Sequence, residues 1–389
     1  MRKVCVLTAT RAEYGLLKNV IKLFHEDENT ELQLVVTGMH LSAEFGNTYQ
    51  EIENDGFVID EKIPILMKND DAEGISVTMG MAMISFGHYF AKKKPDMLVV
   101  LGDRYETLAV CMAAMNQGIP IAHIHGGEIT EGAIDDAIRH SITKMSHLHF
   151  TSTEEYRRRV IQLGEEPERV WCVGAPGVEN VLKADLIEKE VLLEQLGVDA
   201  EKPYFLCTFH PVTLEDVNDT EKQIDDLLKI SAEYKDYEWI YTKANADMGG
   251  KMINEKLDVM ASKYSNIHVF SSLGMKRYLS AMKYSAGVVG NTSSGILEAP
   301  SFQVATINIG DRQKGRTQAN SIINCQPNYE EIKAALSMSQ SELFQTKLKS
   351  VKNPYYTEGT SDSIYKHIVD CLEHHKIQRS KKFYDVFFE

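Results

Sequence analysis

Short runs of almost wholly apolar residues recur along this chain, and each gives way to a turn and then to residues spaced for a helix. Residues 2–8, 32–37, 97–102, 204–209, 239–242 and 304–309 are runs of this kind. A strand that buries one face alternates apolar and polar side chains, whereas a strand apolar along its length buries both. Both faces are covered when helices cross over between parallel strands, so the rhythm predicts an α/β chain with doubly wound sheets. Helices are expected at about 16–26, 75–93, 105–117, 154–163, 220–234, 276–284 and 363–375. The segment HLHFTST, 147–153, predicts a strand with Leu148 and Phe150 inward and His147 and His149 on the other face. Residues 174–177, GAPG, break the pattern, which restarts beyond them, and are the best candidate for a linker. At 389 residues the chain suits two domains.

Ligands of such sheets gather at the carboxyl ends of the strands, which makes those turns the places to look for chemistry. The richest is 120–140, PIAHIHGGEITEGAIDDAIRH: an apolar strand, two glycines, and then His123, His125, Glu128, Asp135, Asp136, Arg139 and His140 in one short segment. Asp135 and Arg139 stand four apart, as do Asp136 and His140, the spacing of neighbours on a helix. This set suits acid/base chemistry. It equally suits a solvated loop whose acids sit at a helix start, where the dipole favours them by ~0.3–1 kcal/mol. Asp103 and Arg104 follow the run 97–102 directly, either as reacting groups or with Asp103 capping the next helix. Arg11, in the turn after the first run, either meets an anion or is a solvated loop charge. That turn has one glycine and no GxGxxG, so a dinucleotide site is not indicated.

At 286–300, AGVVGNTSSGILEAP, an apolar run meets a hydroxyl-rich turn flanked by glycines. Free N–H groups at a helix start, with the hydroxyls of Thr292, Ser293 and Ser294, make an anion site. Glu298 would be repelled by a phosphate there and is better placed for sugar hydroxyls; the plainer alternative is a capping turn. Arg312, Lys314 and Arg316 add positive charge after the run 304–309.

A formal charge of −14 argues against nucleic acid and anionic membrane as partners. An anionic small substrate would need local cations to offset that field. No apolar run reaches the ~18 residues of a membrane-spanning helix, and MRKVCVLTATRAEYG lacks the form of a signal peptide. Six cysteines are scattered with no CxxC pair, the usage of a reducing compartment, so a cytoplasmic protein is expected. The tail KKFYDVFFE, with four aromatics, is expected to dock on a surface.

The segments TATRAEYG, VTGMH, FGNTY, LGDRYE, HIHGGE, IDDAIRHSITKMSH, FHPVT, GNTSSG and INIGDRQKGR, in that order and over nearly the whole chain, resemble the hydrolysing UDP-N-acetylglucosamine 2-epimerases of sialic-acid biosynthesis. The resemblance implies a GT-B architecture: two Rossmann-like domains, 1–175 and 176–362, with the active site in the cleft between them. A C-terminal helix and tail, 363–389, are then expected to pack back on the first domain. The implied reaction is loss of UDP with inversion at C2, water adding at C1 to release a free N-acetylmannosamine-type sugar. No cofactor and no metal are expected, and a homodimer or homotetramer is. By motif, Asp103 and Asp135 match the acid/base carboxylates, and Thr292, Ser293 and Ser294 the phosphate-binding residues. Arg11, Arg104 and His210 are implied near the UDP, with His210 also helping the diphosphate to depart. Glu298 is implied at the ribose and Asn245 at the nucleotide, while His40, Glu128 and Arg312 fall in matched segments of the substrate-binding set.

One departure matters. Many relatives have HIEGGE where this chain has HIHGGE, so the glutamate's work passes to His125 or moves to Glu128. His125 is favoured, because imidazole both takes and gives a proton near neutral pH. Inversion at one carbon needs groups on both faces of the ring, which suits Asp103, His125 and Asp135 on separate loops. The same motifs also suit the reaction on UDP-2,4-diacetamido-2,4,6-trideoxyglucose of legionaminic-acid pathways. More distant alternatives are a glycosyltransferase of this architecture, a metal-dependent hydrolase using His123, His125, Asp135 and His140, and a non-catalytic nucleotide-sugar sensor.

Overall fold

The computed structural model describes the chain apart from residues 44–45, 68–71, 130–133, 212–216, 245–249, 378–379 and 388–389. The described residues form two compact units. One comprises Met1–Ile129, Ile134–Glu179 and Thr357–Glu389, the other Asn180–Tyr356.

In the first unit the strands are β1 (Arg2–Thr8), β2 (Thr30–Thr37), β3 (Glu61–Ile63), β4 (Met97–Leu101), β5 (Ile121–Ile124), β6 (Leu148–Thr151) and β7 (Val170–Cys172). They lie in the order β3-β2-β1-β4-β5-β6-β7, and every neighbouring pair is parallel. The order reverses between β1 and β4, which opens a crevice at their carboxyl ends. The inner strands are mostly apolar because helices cover both faces, whereas the edge strand β3 is exposed at Glu61 and Lys62. Val4, Val6 and Val99 pack with Leu17, Val20, Ile21 and Phe24 on one side. Cys5, Leu98 and Val100 pack with Phe86, Phe90 and Ala109 on the other.

Three sequence expectations need correction here. The first helix, Arg11–Glu26, begins five residues before the expected 16, because Thr10 and Glu13 form a reciprocal cap. Arg11 therefore stands in the first helical turn instead of a loop. In β6 all four residues are buried, so His149 is not on an open face. Its Nε2 lies 3.0 Å from Glu165, and that carboxylate also takes Lys144 and Lys381. A polar partner inside the covered layer is what lets a histidine sit there. The GAPG segment is not a free linker either, since Pro176–Lys183 is helical.

The chain re-enters the first unit at 357. Thr360 Oγ1 donates to the Val173 carbonyl, and the Ser361 N–H and hydroxyl both donate to Glu179. The helix Thr360–Glu373 then buries Ile364, Ile368 and Cys371 in the core that holds Phe24. Beyond it, Lys381 Nζ donates to the carbonyls of Lys144 and Ser146, and the Tyr384 N–H donates to that of Gly164.

The second unit repeats the plan with β8 (Tyr204–Thr208), β9 (Glu238–Thr242), β10 (Ile267–Phe270), β11 (Gly287–Gly290), β12 (Thr306–Ile309) and β13 (Ile322–Cys325). The order is β10-β9-β8-β11-β12-β13, all parallel, with the reversal between β8 and β11. Strand β13 and the helices Tyr329–Ser339 and Glu342–Leu348 were not expected from the sequence. Among the described residues no helix is long and apolar enough to cross a membrane.

Candidate active site

In the first unit the predicted residues sit where β1, β4 and β5 end. β5 stops at Ile124, and His125 turns the chain with φ +67°. That conformation costs a non-glycine residue about 1–3 kcal/mol, although histidine is among the side chains that tolerate it best. The turn brings His125 Nδ1 to 2.6 Å from Glu128 Oε1, which also accepts the Ser152 hydroxyl at 3.0 Å. A carboxylate at Nδ1 holds the proton there and leaves the lone pair on Nε2. Nε2 is buried with no hydrogen-bond partner among the described residues. His125 and Glu128 are thus one device, with the acid orienting the imidazole.

Asp103 does not cap the helix Tyr105–Asn116; Arg104 occupies that position and no side chain caps it. The Asp103 carboxylate is instead joined to the guanidinium of buried Arg139. Arg139 belongs to the helix Ile134–Met145, whose first turn carries half-buried Asp135 and Asp136. Asp136 lies 3.6 Å from His140. The i,i+2 histidines of 123 and 125 do not converge, because His125 lies beyond the strand end; among the described residues no three metal-liganding side chains cluster.

At the crevice between β1 and β4, Arg104 donates through Nε and Nη2 to Oε1 of fully buried Glu106, at 2.9 and 2.7 Å. Glu13 lies within reach of its charge. Burial pushes the Glu13 carboxyl up to about 7, against the pull of Arg104. Arg11 pairs with Glu51 at 3.0 Å, both side chains open to solvent, a contact weak enough to be exchanged for an anion. His40 is fully buried and both its nitrogens are engaged, Nε2 with Thr8 and Nδ1 with Thr48 at 2.9 and 2.8 Å. It braces the ends of β1 and β2.

In the second unit the crevice between β8 and β11 is bridged by Asn291, a fully buried residue that sequence reasoning passed over. Its Oδ1 accepts the His210 N–H and its Nδ2 donates to the His210 carbonyl, each at 2.7 Å. Its own carbonyl accepts Arg312 Nη1 at 3.0 Å and Gln313 Nε2 at 2.9 Å. His210 and Arg312 are thereby fixed beside the Thr292 turn. Thr292 caps the next helix by accepting the Ser294 N–H. That helix, Ser293–Leu297, has only five residues, so its macrodipole is small and an anion would rely on hydroxyls and individual N–H groups. Asn245 lies outside the described residues.

Residues 22–369 match the family model of the UDP-N-acetylglucosamine 2-epimerases. The chain belongs to this family. It is 46% identical over 328 residues to the hydrolysing GDP/UDP-N,N'-diacetylbacillosamine 2-epimerase of Campylobacter jejuni, covering 84% of this chain and 85% of that one. It is 41% identical over 389 residues to polysialic acid biosynthesis protein P7 of Escherichia coli, covering 99% and 98%. The crystal structure of the Neisseria meningitidis UDP-GlcNAc 2-epimerase bound to UDP-GlcNAc superposes with a TM-score of 0.81 at 18% identity, over 95% of this chain and all of the other. The two Rossmann-type sheets of this epimerase thus have the GT-B-like fold expected from the sequence.

Three histidines of this family member are kept neutral inside. Burial lowers His123 to about 3 and His40 to about 4, and burial with the charge of Arg312 lowers His210 to about 4. Because these values lie below the unfolded value of about 6.5, the unfolded chain binds more protons as the pH falls. Their contribution is whole above about pH 6.5 and is lost as the pH falls toward 4 for His40 and His210 and toward 3 for His123. Each should remove about 2 kcal/mol by pH 5. Urea unfolding at pH 7.5 and at pH 5 measures this; equal midpoints would show that the histidines are not held neutral.

Proposed function

We propose that this chain is a hydrolysing 2-epimerase of UDP-2-acetamido sugars, with UDP-N-acetylglucosamine as substrate and UDP and N-acetylmannosamine as products. The observation that carries the reading is the buried His125–Glu128 pair, which leaves Nε2 as a base in a family whose members act at C2. In the proposed reaction Nε2 takes the C2 hydrogen. The released electron pair forms the C1–C2 double bond as the C1–oxygen bond breaks and UDP departs with its electrons. Hydroxyls of Thr292, Ser293 and Ser294, an N–H of neutral His210 and the guanidinium of Arg312 meet the charge on the diphosphate. Water then bonds to C1 and gives a proton to solvent, while Asp103 or Asp135, having taken a proton from solvent, passes it to C2 on the opposite face; the His125 imidazolium releases its proton to solvent and closes the cycle. The sequence is redox-neutral and consumes one water. In this division of labour the first unit moves protons and the second holds UDP, with Glu298 at the ribose and Arg104 and Arg11 as further phosphate cations.

The match to the UDP-N-acetylglucosamine 2-epimerase family, and 31% identity over 327 residues to a Neisseria meningitidis protein of that name, support the N-acetylglucosamine substrate. The 46% identity to the diacetylbacillosamine enzyme favours a second reading, the same reaction on the UDP-2,4-diacetamido-6-deoxy sugar. Incubating the protein with an equal mixture of the two UDP-sugars in deuterated water, followed by NMR, decides between them. Free UDP with a C2-deuterated, C2-inverted sugar is the expected result, and the sugar consumed first names the substrate. Two untouched UDP-sugars would overturn the proposal.

A further inference from the structure

Below the candidate base, a second histidine touches each of the segments that carry the proposed proton-transfer groups. His123, on β5, is fully buried. Its Nε2 lies 2.8 Å from the carbonyl of Gly102, the residue before Asp103, and its Nδ1 lies 3.2 Å from Thr143 Oγ1. A carbonyl can only accept, so Nε2 carries the proton and Nδ1 accepts from the threonine hydroxyl. Thr143 stands one helical turn beyond Arg139 on the same face of the helix Ile134–Met145, whose first turn holds Asp135. Arg139 in turn holds Asp103. The contacts close a ring from Asp103 through Arg139, the helix, Thr143, His123 and Gly102 back to Asp103. Gly126, next to His125, lies over the same imidazole, since a Cβ there would come within 3.2 Å of His123 Nδ1.

We infer that His123 is a positioning residue, whose two ring nitrogens fix the Asp103 turn against the helix of Asp135 and Arg139. The inference rests on the proposed reaction for its kinetic consequence, but not for its geometry. Burial keeps the imidazole neutral, so it neither gives nor takes a proton in the cycle. Its effect is on placement, and an error of about 1 Å in a reacting group costs on the order of 10²-fold in rate.

The test compares His123→Gln, whose amide N–H can still reach the Gly102 carbonyl, with His123→Leu, which is apolar and of similar bulk. Steady-state kinetics, UDP titration and the NMR signal of the Arg139 side-chain N–H are read on each. His123→Leu should lower kcat about 10²-fold while KM and UDP affinity stay within about threefold, and it should shift the Arg139 signal. His123→Gln should restore kcat to within about tenfold and leave that signal in place. A His123→Leu enzyme with normal kcat, or an unmoved Arg139 signal, would overturn the inference. If the unmodified protein turns over neither UDP-sugar, the proposed reaction fails, and the Arg139 signal still decides the positioning role.

Discussion

His125→Asn should lower kcat by about 10²–10⁴-fold and leave UDP affinity within about threefold of the unmodified enzyme. Asparagine is at ease with positive φ, so the turn at +67° survives the change. Its amide nitrogen falls close to where Nδ1 stood and can still donate to Glu128, whose Oε1 lies 2.6 Å from Nδ1 in the native chain. What disappears is Nε2, the buried ring atom that no described residue engages. The variant therefore separates the base from the loop that carries it. Glu128→Gln removes the charge that holds the proton on Nδ1 and supports the imidazolium once it forms, so a smaller loss is expected, about 10–10²-fold. Turnover, thermal midpoint and UDP binding measured together make the distinction. A His125→Asn enzyme that kept more than a tenth of its kcat would remove His125 from the chemistry and return the role to Glu128.

Most of the strands and their parallel direction were legible because a chain that must bury both faces of a sheet writes that need as uninterrupted apolar runs, whereas the short edge strand β3 and β13 carry no such run. The turns after β4, β5 and β11 could be picked out for the same reason, since polar residues stand abruptly where those runs stop. Partnerships across the chain were not legible. Nothing in IDDAIRH says that Arg139 turns to Asp103, 36 positions earlier, and nothing in GNTSSG says that Asn291 holds the backbone of His210. Those contacts depend on which strands become neighbours. The histidine in place of glutamate at 125 was visible, but its positive φ was not, and the φ is what brings the ring to Glu128. Other misses carried a readable signal. Thr10 and Glu13 spell a capping box at the first helix, and Asn328, three residues before Glu331, marks the start of the helix Tyr329–Ser339.

Gly290→Ala should cost more than about 4 kcal/mol and leave little folded protein, because this position joins β8 to β11 where the strand order of the second sheet reverses. Gly290 pairs with Thr208 and has φ +132°, a conformation open in practice only to glycine. A Cβ there would lie 1.9 Å from the Thr208 carbonyl oxygen and 2.8 Å from its carbon. Both are backbone atoms, so no rotamer change relieves the contact and the strands must part. The same carbonyl accepts the Asn291 N–H at 3.2 Å. Parting β8 from β11 therefore also breaks the grip of Asn291 on His210 and frees Arg312 and Gln313 from its carbonyl. Gly197→Ala supplies the contrast within the same unit. Gly197 ends the helix Lys189–Leu196 with φ +66°, and a methyl group added there would meet no described atom within 4 Å. Its replacement should therefore cost only the left-handed strain, about 1 kcal/mol. Urea unfolding of the two variants reads the difference directly. Any folded Gly290→Ala protein should bind UDP far more weakly than Gly197→Ala does, since the turn proposed to hold the diphosphate is built on the displaced residues. If the two variants unfolded at the same urea concentration, the close approach of Gly290 to Thr208 would not be what fixes this corner of the sheet.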